Sequence, residues 1–297
     1  MRTRARTWNG TWSGAPAGAR AVRRAAGAAV LAAVLGLTSA GCSSDGAQGG
    51  GSRAEPSAAV EAARARAPSP AGKGQLVASY TEGLTAADRQ TEAFLRQNKA
   101  LEAIAAYVNR RIALPYNVPV DAKSCGTTDA YWDPATRAIT FCYEFLERIE
   151  PAFTSSSDPG LVALTQGVVV HELGHGLIAI NGLPVDGDEE EAVDQLSAVL
   201  LTTGDDDKKF VSGIVEAWAV MAGQDAKSDT RTAFAEDHAV NSAQSTAWAC
   251  WVYGSDPDGY QDLVGPDVLP EKRAKGCEKE YEKVANTWGK ALEPYLK

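Results

Sequence analysis

The spacing of apolar residues divides the chain into an N-terminal stretch without a core pattern and a long remainder with mostly helical spacing. Between Thr85 and Ile112, apolar side chains recur every three or four positions, which predicts one helix. The same spacing predicts six further helices, at about 143–153, 160–181, 188–203, 207–224, 231–248 and 270–293. The folded part of the chain is therefore expected to be largely helical.

Three short segments have the composition of β-strands instead. They are Asn117–Val120, Ala130–Trp132 and Ala138–Cys142, the last two joined by a turn at 133–137. All three precede the predicted helix at 160–181. The expected class is α+β, mostly helical, with a small sheet before that helix.

The N-terminus has the pattern of an export signal. Residues 1–24 carry six arginines and no acid, and an apolar run follows from Ala25 to Ala40. The run is too short to favour a spanning helix. It ends in Leu37-Thr38-Ser39-Ala40-Gly41-Cys42, which resembles a bacterial lipobox, so we predict a signal peptide at 1–41 and lipidation of Cys42. Ordinary signal cleavage nearby, giving a secreted protein, is the alternative; both place the protein outside the cytoplasm.

Composition divides the remainder into two parts. Residues 42–75 are rich in Gly, Ser, Ala and Pro and have no aromatic side chain, so we predict a lipidated flexible tether. Residues 76–297 are expected to form one domain. The lipid anchor is the only membrane contact that this organisation predicts.

Five cysteines in an exported chain leave one outside disulfides, and Cys42 has a separate fate as the lipidated residue. The other four allow two disulfides. Pairing Cys125 with Cys142 and Cys250 with Cys277 is the simplest arrangement. The two other connectivities stay open at this stage.

The net charge argues against a nucleic-acid partner. The chain carries a formal charge of −9, and this value includes the six arginines of the predicted signal. The mature domain is therefore more acidic still, whereas nucleic-acid binding needs a basic surface.

The segment around His171 contains the candidate chemistry. His171, Glu172 and His175 form a His-Glu-x-x-His pattern inside an apolar helical run, and the chain has only three histidines. Histidines four residues apart project from one helix face and can share a metal ion. Glu172 lies where it reaches a water at the metal and can act as general base.

A catalytic zinc site needs a third protein ligand, and an acidic helix start follows at 188–194. Glu190 and Asp194 are four residues apart on one face, so we predict that Glu190 binds zinc and that Asp194 accepts the second N–H of a ligand histidine. Glu189 and Glu191 are alternative ligands. An acidic first turn that only stabilises the helix is the structural alternative for all of them.

His238 is the third histidine. We expect it to donate a hydrogen bond to a developing oxyanion or to be structural, in preference to binding metal. A metzincin would have a histidine six residues after His175, and that position is Asn181, which excludes this subclass.

The stretch from His171 to Asp194 resembles the gluzincin pattern, in which two motif histidines are completed by a glutamate four residues before an aspartate. Over about Ala87 to Leu292, the chain also resembles a bacterial family of domains described as "putative metallopeptidases". The matching segments are Cys125-Gly126, Tyr131 to Pro134, Cys142 to Glu144, His171 to Gly176, Glu189 to Gln195 and Trp251 to Pro257.

The resemblance implies a zincin-like fold and one zinc ion. From the site residues we predict hydrolysis of peptide or protein substrates, with Glu172 as base and His238, Tyr143 or Tyr253 stabilising the oxyanion. The substrate is expected to add to an edge strand, for which Ala138–Cys142 is the candidate. The alternative is a cell-envelope binding or assembly lipoprotein whose zinc is structural or vestigial.

Overall fold

A computed structural model describes residues 72–204, 208–225 and 242–297 of the chain. Cys42, the predicted signal peptide, most of the predicted tether and His238 lie outside these residues. The domain boundaries proposed from the sequence therefore stay predictions.

A four-stranded mixed sheet forms one side of the domain. Its strands are β1 (Leu76–Tyr80), β2 (Val118–Lys123), β3 (Ala130–Asp133) and β4 (Ala138–Cys142), in the spatial order β1-β2-β4-β3. β1, β2 and β4 run parallel, and β3 pairs antiparallel with β4. The sequence analysis did not predict β1.

The order of the strands corrects one expectation from the sequence. β4 lies between β2 and β3, so Ala138–Cys142 is not an edge strand. β3 is the outer strand on that side. The error arises because β2 pairs with β4, its second neighbour in sequence, and such pairing leaves no local signal in the chain.

Nine α-helices account for most of the described residues. They are α1 (Ala86–Gln97), α2 (Ala100–Arg111), α3 (Tyr143–Ile149), α4 (Pro159–Asn181), α5 (Glu189–Thr202), α6 (Lys208–Asp225), α7 (Ser242–Ser255), α8 (Glu271–Ala274) and α9 (Cys277–Leu292). With the small sheet ahead of α4, the fold is α+β, as predicted.

The single helix predicted between Thr85 and Ile112 is two helices. Lys99 has a left-handed backbone with φ of 51°, and the chain changes direction there between α1 and α2. Leu95 before the break and Leu101 after it are both fully buried. Apolar spacing therefore continues across the break and hides it.

Two other helical predictions differ from the structure near the C-terminus. The helix expected at 231–248 is described only from Ser242 and continues to Ser255, beyond its predicted end. The helix expected at 270–293 is interrupted between α8 and α9, at Lys275 and Gly276.

Two disulfides close segments of the domain. Cys125 bonds to Cys142, across 17 positions, and joins the loop before β3 to the end of β4. Cys250 in α7 bonds to Cys277 at the start of α9, across 27 positions. This is the pairing that the sequence favoured.

Helix α4 is a core helix that packs against α2, α5, α6, β3 and β4. Apolar residues lie all around it, and 17 of its 23 residues are buried. Among the described residues it is the one helix long and apolar enough to cross a membrane, but 78% of its most apolar window is inside the protein. Such burial is expected of a core helix in a globular domain.

Candidate metal centre

The ends of α4 are defined by its sequence. The side chain of Asp158 accepts a hydrogen bond from the Gly160 N–H, and Pro159 occupies the first helical position. Gly182 ends the helix with a left-handed backbone at φ of 60°. The helix is thus long enough to carry the histidine motif into the centre of the domain.

The three motif residues lie in this interior. His171 is 5% exposed, and Glu172 is fully buried. The side chain of His175 is 12% exposed and that of Glu190, described below, is 24% exposed. The imidazole rings of the two histidines lie 5.2 Å apart, centroid to centroid.

Close packing of α4 against α5 brings acidic residues to the histidines. A Cβ at Gly174 would lie only 2.7 Å from Cγ1 of Val193, so a larger residue there would force the helices apart. The Ser197 hydroxyl donates to the Val170 carbonyl at 3.2 Å. The first turn of α5, which begins after its N-cap Asp188, consequently faces the motif.

Glu190 contacts both motif histidines. Its Oε2 lies 3.2 Å from Nε2 of His171, and its Oε1 lies 3.3 Å from Nε2 of His175. Ligand atoms of these three residues all lie within 4.8 Å of one another. This is the arrangement expected if Glu190 is the third ligand.

The remaining acids of α5 have different contacts. Asp194 lies 2.9 Å from Nδ1 of His171, the atom on the far side of the ring from Glu190. Glu189 lies 3.0 Å from Nδ1 of His175 in the same way. Glu191 faces away and accepts a hydrogen bond from the Gln195 side chain. Each histidine thus has its Nε2 directed to Glu190 and its Nδ1 directed to a carboxylate.

The electrostatic field at the histidines favours positive charge. Burial alone would lower the pKa of His171, but its hydrogen bonds to Asp194 and Glu190 outweigh burial and raise the pKa to about 10. Burial would raise the pKa of Glu190, yet the bonds from His171 and His175 hold it well below its usual range. A divalent cation would gain from the same carboxylates.

The donor set fits a zinc ion. Bonds of about 2.0–2.1 Å in tetrahedral geometry place two ligand atoms about 3.3 Å apart. The two separations between Glu190 oxygens and histidine Nε2 atoms are 3.2 and 3.3 Å. Asp194 and Glu189 each accept the second N–H of an imidazole, as carboxylates behind zinc-binding histidines commonly do.

Glu172 is held by the sheet. The backbone N–H of Trp132 in β3 donates to its Oε2 at 2.9 Å. The indole ring of Trp132 packs on Gly176, where a Cβ would lie 3.0 Å from ring atom Cε3. The outer strand therefore contacts the motif helix at two points.

Other candidates are placed as follows. The Tyr143 hydroxyl is buried and donates to the Thr81 carbonyl at 2.7 Å, so it is already engaged away from the motif. Tyr253 is half-buried on α7, packed against the core. His238 lies in the segment 226–241, which the structure does not describe.

A second group of possible ligands is explained by other bonds. Cys125, Cys142 and Glu144 lie together, but the two cysteines are joined in a disulfide and have no thiolate to offer. Glu144 accepts the backbone N–H groups of Cys125 and Gly126. This group is part of the structural frame around β3.

Sequence reasoning missed two contacts at the site. It did not anticipate the contact of Trp132 with Glu172, because that contact is made by a backbone N–H and depends on strand order. It considered Glu189 only as a rival ligand. The four-residue spacing of Glu190 and Asp194 indicated that both lie on one face of α5. Nothing in the sequence separated Glu189, which contacts His175, from Glu191, which does not face the site.

Fold and site together define an α+β protein with a candidate mononuclear metal centre of two histidines and one glutamate. The chain belongs to the family DUF4344, described as "putative metallopeptidase", whose model matches residues 80–292. No curated protein and no solved structure shows significant similarity to the chain.

Proposed function

We propose that the protein is a zinc-dependent hydrolase that cleaves peptide bonds. The observation that carries this proposal is the pair of contacts from one half-buried glutamate, Glu190, to Nε2 of His171 and Nε2 of His175. The family description supports the same reaction class.

His171, His175 and Glu190 would hold the zinc ion. Among the described residues three protein donors converge here, and a fourth is not found with them. Three ligands are typical of catalytic zinc sites, and four are typical of structural ones. Zinc in such a site polarises a carbonyl and lowers the pKa of the water it binds.

Glu172 would supply the proton transfers. It follows the first ligand on α4, is fully buried and accepts a hydrogen bond from the backbone N–H of Trp132. It accepts a proton from the attacking water and passes it to the leaving amine, so that water adds across the amide. A buried carboxylate one position after a metal ligand is suited to this exchange.

The substrate would lie along β3. This strand pairs with β4 on one side and contacts α4 through Trp132 on the other. The Trp132 N–H is engaged by Glu172, so an extended peptide would have to pair with other backbone groups on the outer side of β3. Its backbone would then lie near the motif.

We also propose that the enzyme acts outside the cytoplasm, attached to the cell membrane through lipidated Cys42. Two disulfides in the domain support an oxidising compartment. The lipobox pattern in the sequence supports the anchor.

Zinc content and digestion of a peptide library, measured together on three variants, test the proposal. Glu172→Gln should keep one zinc per chain and lose turnover, whereas His175→Ala should lose both. Glu191→Gln removes a charge from the same helix turn without touching the histidines and should keep both. Full activity in Glu172→Gln, or a wild-type protein that does not bind zinc, would overturn the proposal.

A further inference from the structure

We propose that Trp132 is a positioning residue for Glu172 and that it assigns the proton-accepting role to Oε1 of this carboxylate. The inference rests on the proposed function, since it concerns the same site. It adds a residue outside the histidine motif and a distinction between two oxygen atoms.

The backbone of Trp132 provides the first contact. Its N–H donates to Oε2 of Glu172 at 2.9 Å, although Trp132 lies 40 positions away in sequence. In the sheet, Trp132 lies opposite Ile139 of β4. Its N–H is directed to Glu172 and so points toward α4 and not toward β4. Because the donor is a backbone N–H, the sheet fixes its position, and a change of the Trp132 side chain to Phe or Ala does not remove it.

The ring of Trp132 provides the second contact. Three of its ring atoms would lie 3.0 to 3.3 Å from a Cβ at Gly176, so a side chain there would push the ring away by a few tenths of an ångström. Gly176 follows Glu172 by one helical turn, on the same face of α4. The backbone contact at Glu172 and the ring contact at Gly176 together fix the distance between strand and helix.

A fully buried carboxylate needs such a fixed donor. Glu172 has no exposure to solvent, and burial of an ionised group is costly without hydrogen bonds. With Oε2 engaged by the strand, the carboxylate has one orientation, and Oε1 is the oxygen that meets the substrate water. A displacement of about 1 Å in a reacting group can cost about a hundredfold in rate.

The hydrogen bond can be measured directly. In the ¹H–¹⁵N spectrum of the zinc-loaded protein, the Trp132 amide proton should move upfield when Glu172 is changed to Ala. An unchanged Trp132 resonance in that variant would overturn the inference, whether or not the protein cleaves peptides.

Gly176→Ala tests the ring contact, with Gly167→Ala as its matched control. Both glycines lie in α4, but a Cβ at Gly167 would meet Ile214, at 2.8 Å, and not Trp132. We expect Gly176→Ala to shift the Trp132 amide and lower kcat roughly ten- to hundredfold, with KM and zinc content unchanged. Gly167→Ala should leave the Trp132 amide and kcat near their wild-type values. Equal kcat in the two variants would contradict the inference.

Substitutions of Trp132 itself separate positioning from folding. Trp132→Phe retains a ring on Gly176 and should keep kcat within about threefold, whereas Trp132→Ala should lose about tenfold or more with zinc still bound. Wild-type kcat in Trp132→Ala would overturn the inference but leave the proposed function standing. A wild-type protein that binds zinc and cleaves no peptide would refute the proposed function. The shift of the Trp132 amide proton would still test its hydrogen bond to Glu172.

Discussion

Nδ1 of His175 lies 3.0 Å from a carboxylate oxygen of Glu189, the residue directly before the acid that contacts both histidines. The pair His171 and Asp194 has the same geometry at 2.9 Å. The two carboxylates differ in exposure, because the side chain of Glu189 is 57% exposed and that of Asp194 only 4%. The two contacts are therefore expected to contribute unequally to zinc affinity, with the buried Asp194 contributing more than the exposed Glu189.

Glu189→Ala should weaken zinc binding by about tenfold, the low end of the range for residues that orient a ligand histidine. Solvent screens an exposed carboxylate, which keeps the effect small. Glu189→Gln keeps an acceptor oxygen and should lose less. Glu191→Ala, which removes a charge from the same turn, is the control. Competition with a zinc chelator measures all three, and equal affinity for Glu189→Ala and Glu191→Ala would argue against this role.

Asp194→Ala should have the larger effect, a loss of zinc affinity approaching about a hundredfold. The substitution leaves Nδ1 of a buried imidazole without its acceptor, which costs about 1–3 kcal/mol in stability. Urea unfolding with and without zinc separates the two effects. If Asp194→Ala and Glu189→Ala proved indistinguishable in both measurements, burial would not control the strength of these contacts.

Much of the site was predictable because it is local. A spacing of four residues places His171 and His175 on one face, and the same spacing relates Glu190 to Asp194. The choice of Glu190 over Glu189 and Glu191 could be predicted only through its spacing to Asp194. Successive helical residues differ by about 100° in direction, and the orientation of α5 on α4 selects among them. That orientation depends on packing at Gly174 and Val193.

The fold was predicted less completely for the same reason. Strands β3 and β4 are joined by a short turn and were recognised, whereas β1 pairs with β2 across 42 positions and has no local partner to indicate it. The break at Lys99 lacks a glycine or proline to mark it. The position of β4 inside the sheet follows from pairing between distant segments.

Glu147 provides a prediction about pH and stability. Burial and the neighbouring Asp88 raise the pKa of Glu147 from 4.5 to about 6. The folded state therefore binds this proton more tightly than the unfolded state, and the stability present below about pH 4.5 is lost as pH rises through about 6. Glu147→Gln cannot ionise, so its stability relative to wild type should increase across this interval and stay constant on either side.

Urea unfolding at several pH values between 4 and 7.5 checks this difference. Glu282→Gln, an exposed acid on α9, is the control for loss of a negative charge. Glu147 lines a cavity of about 470 Å³ between α1 and α3. The proposed zinc ligands come from α4 and α5, so the substitution should leave zinc binding unchanged. A stability difference that does not vary with pH would refute the assignment.

Two glycines near the C-terminus should respond oppositely to alanine. A Cβ at Gly254 in α7 would lie 2.2 Å from the carbonyl oxygen of Cys277, so Gly254→Ala must separate α7 from α9 and should cost about 1–3 kcal/mol. Gly289 in α9 has open space around it, and Gly289→Ala should stabilise the helix by about 0.5–1 kcal/mol. Thermal unfolding of both variants measures the contrast, and destabilisation by Gly289→Ala would be the contrary result.

The disulfide between Cys125 and Cys142 fastens the loop that leads into β3 to the end of the neighbouring strand. The strand that carries Trp132 is thus covalently anchored near its start, while the three proposed metal ligands come from α4 and α5. A thiol reductant and a chelator would consequently inactivate the protein by separate routes. The reductant would loosen the partner of Glu172 and spare the ion, and the chelator would remove the ion and leave that partner in place.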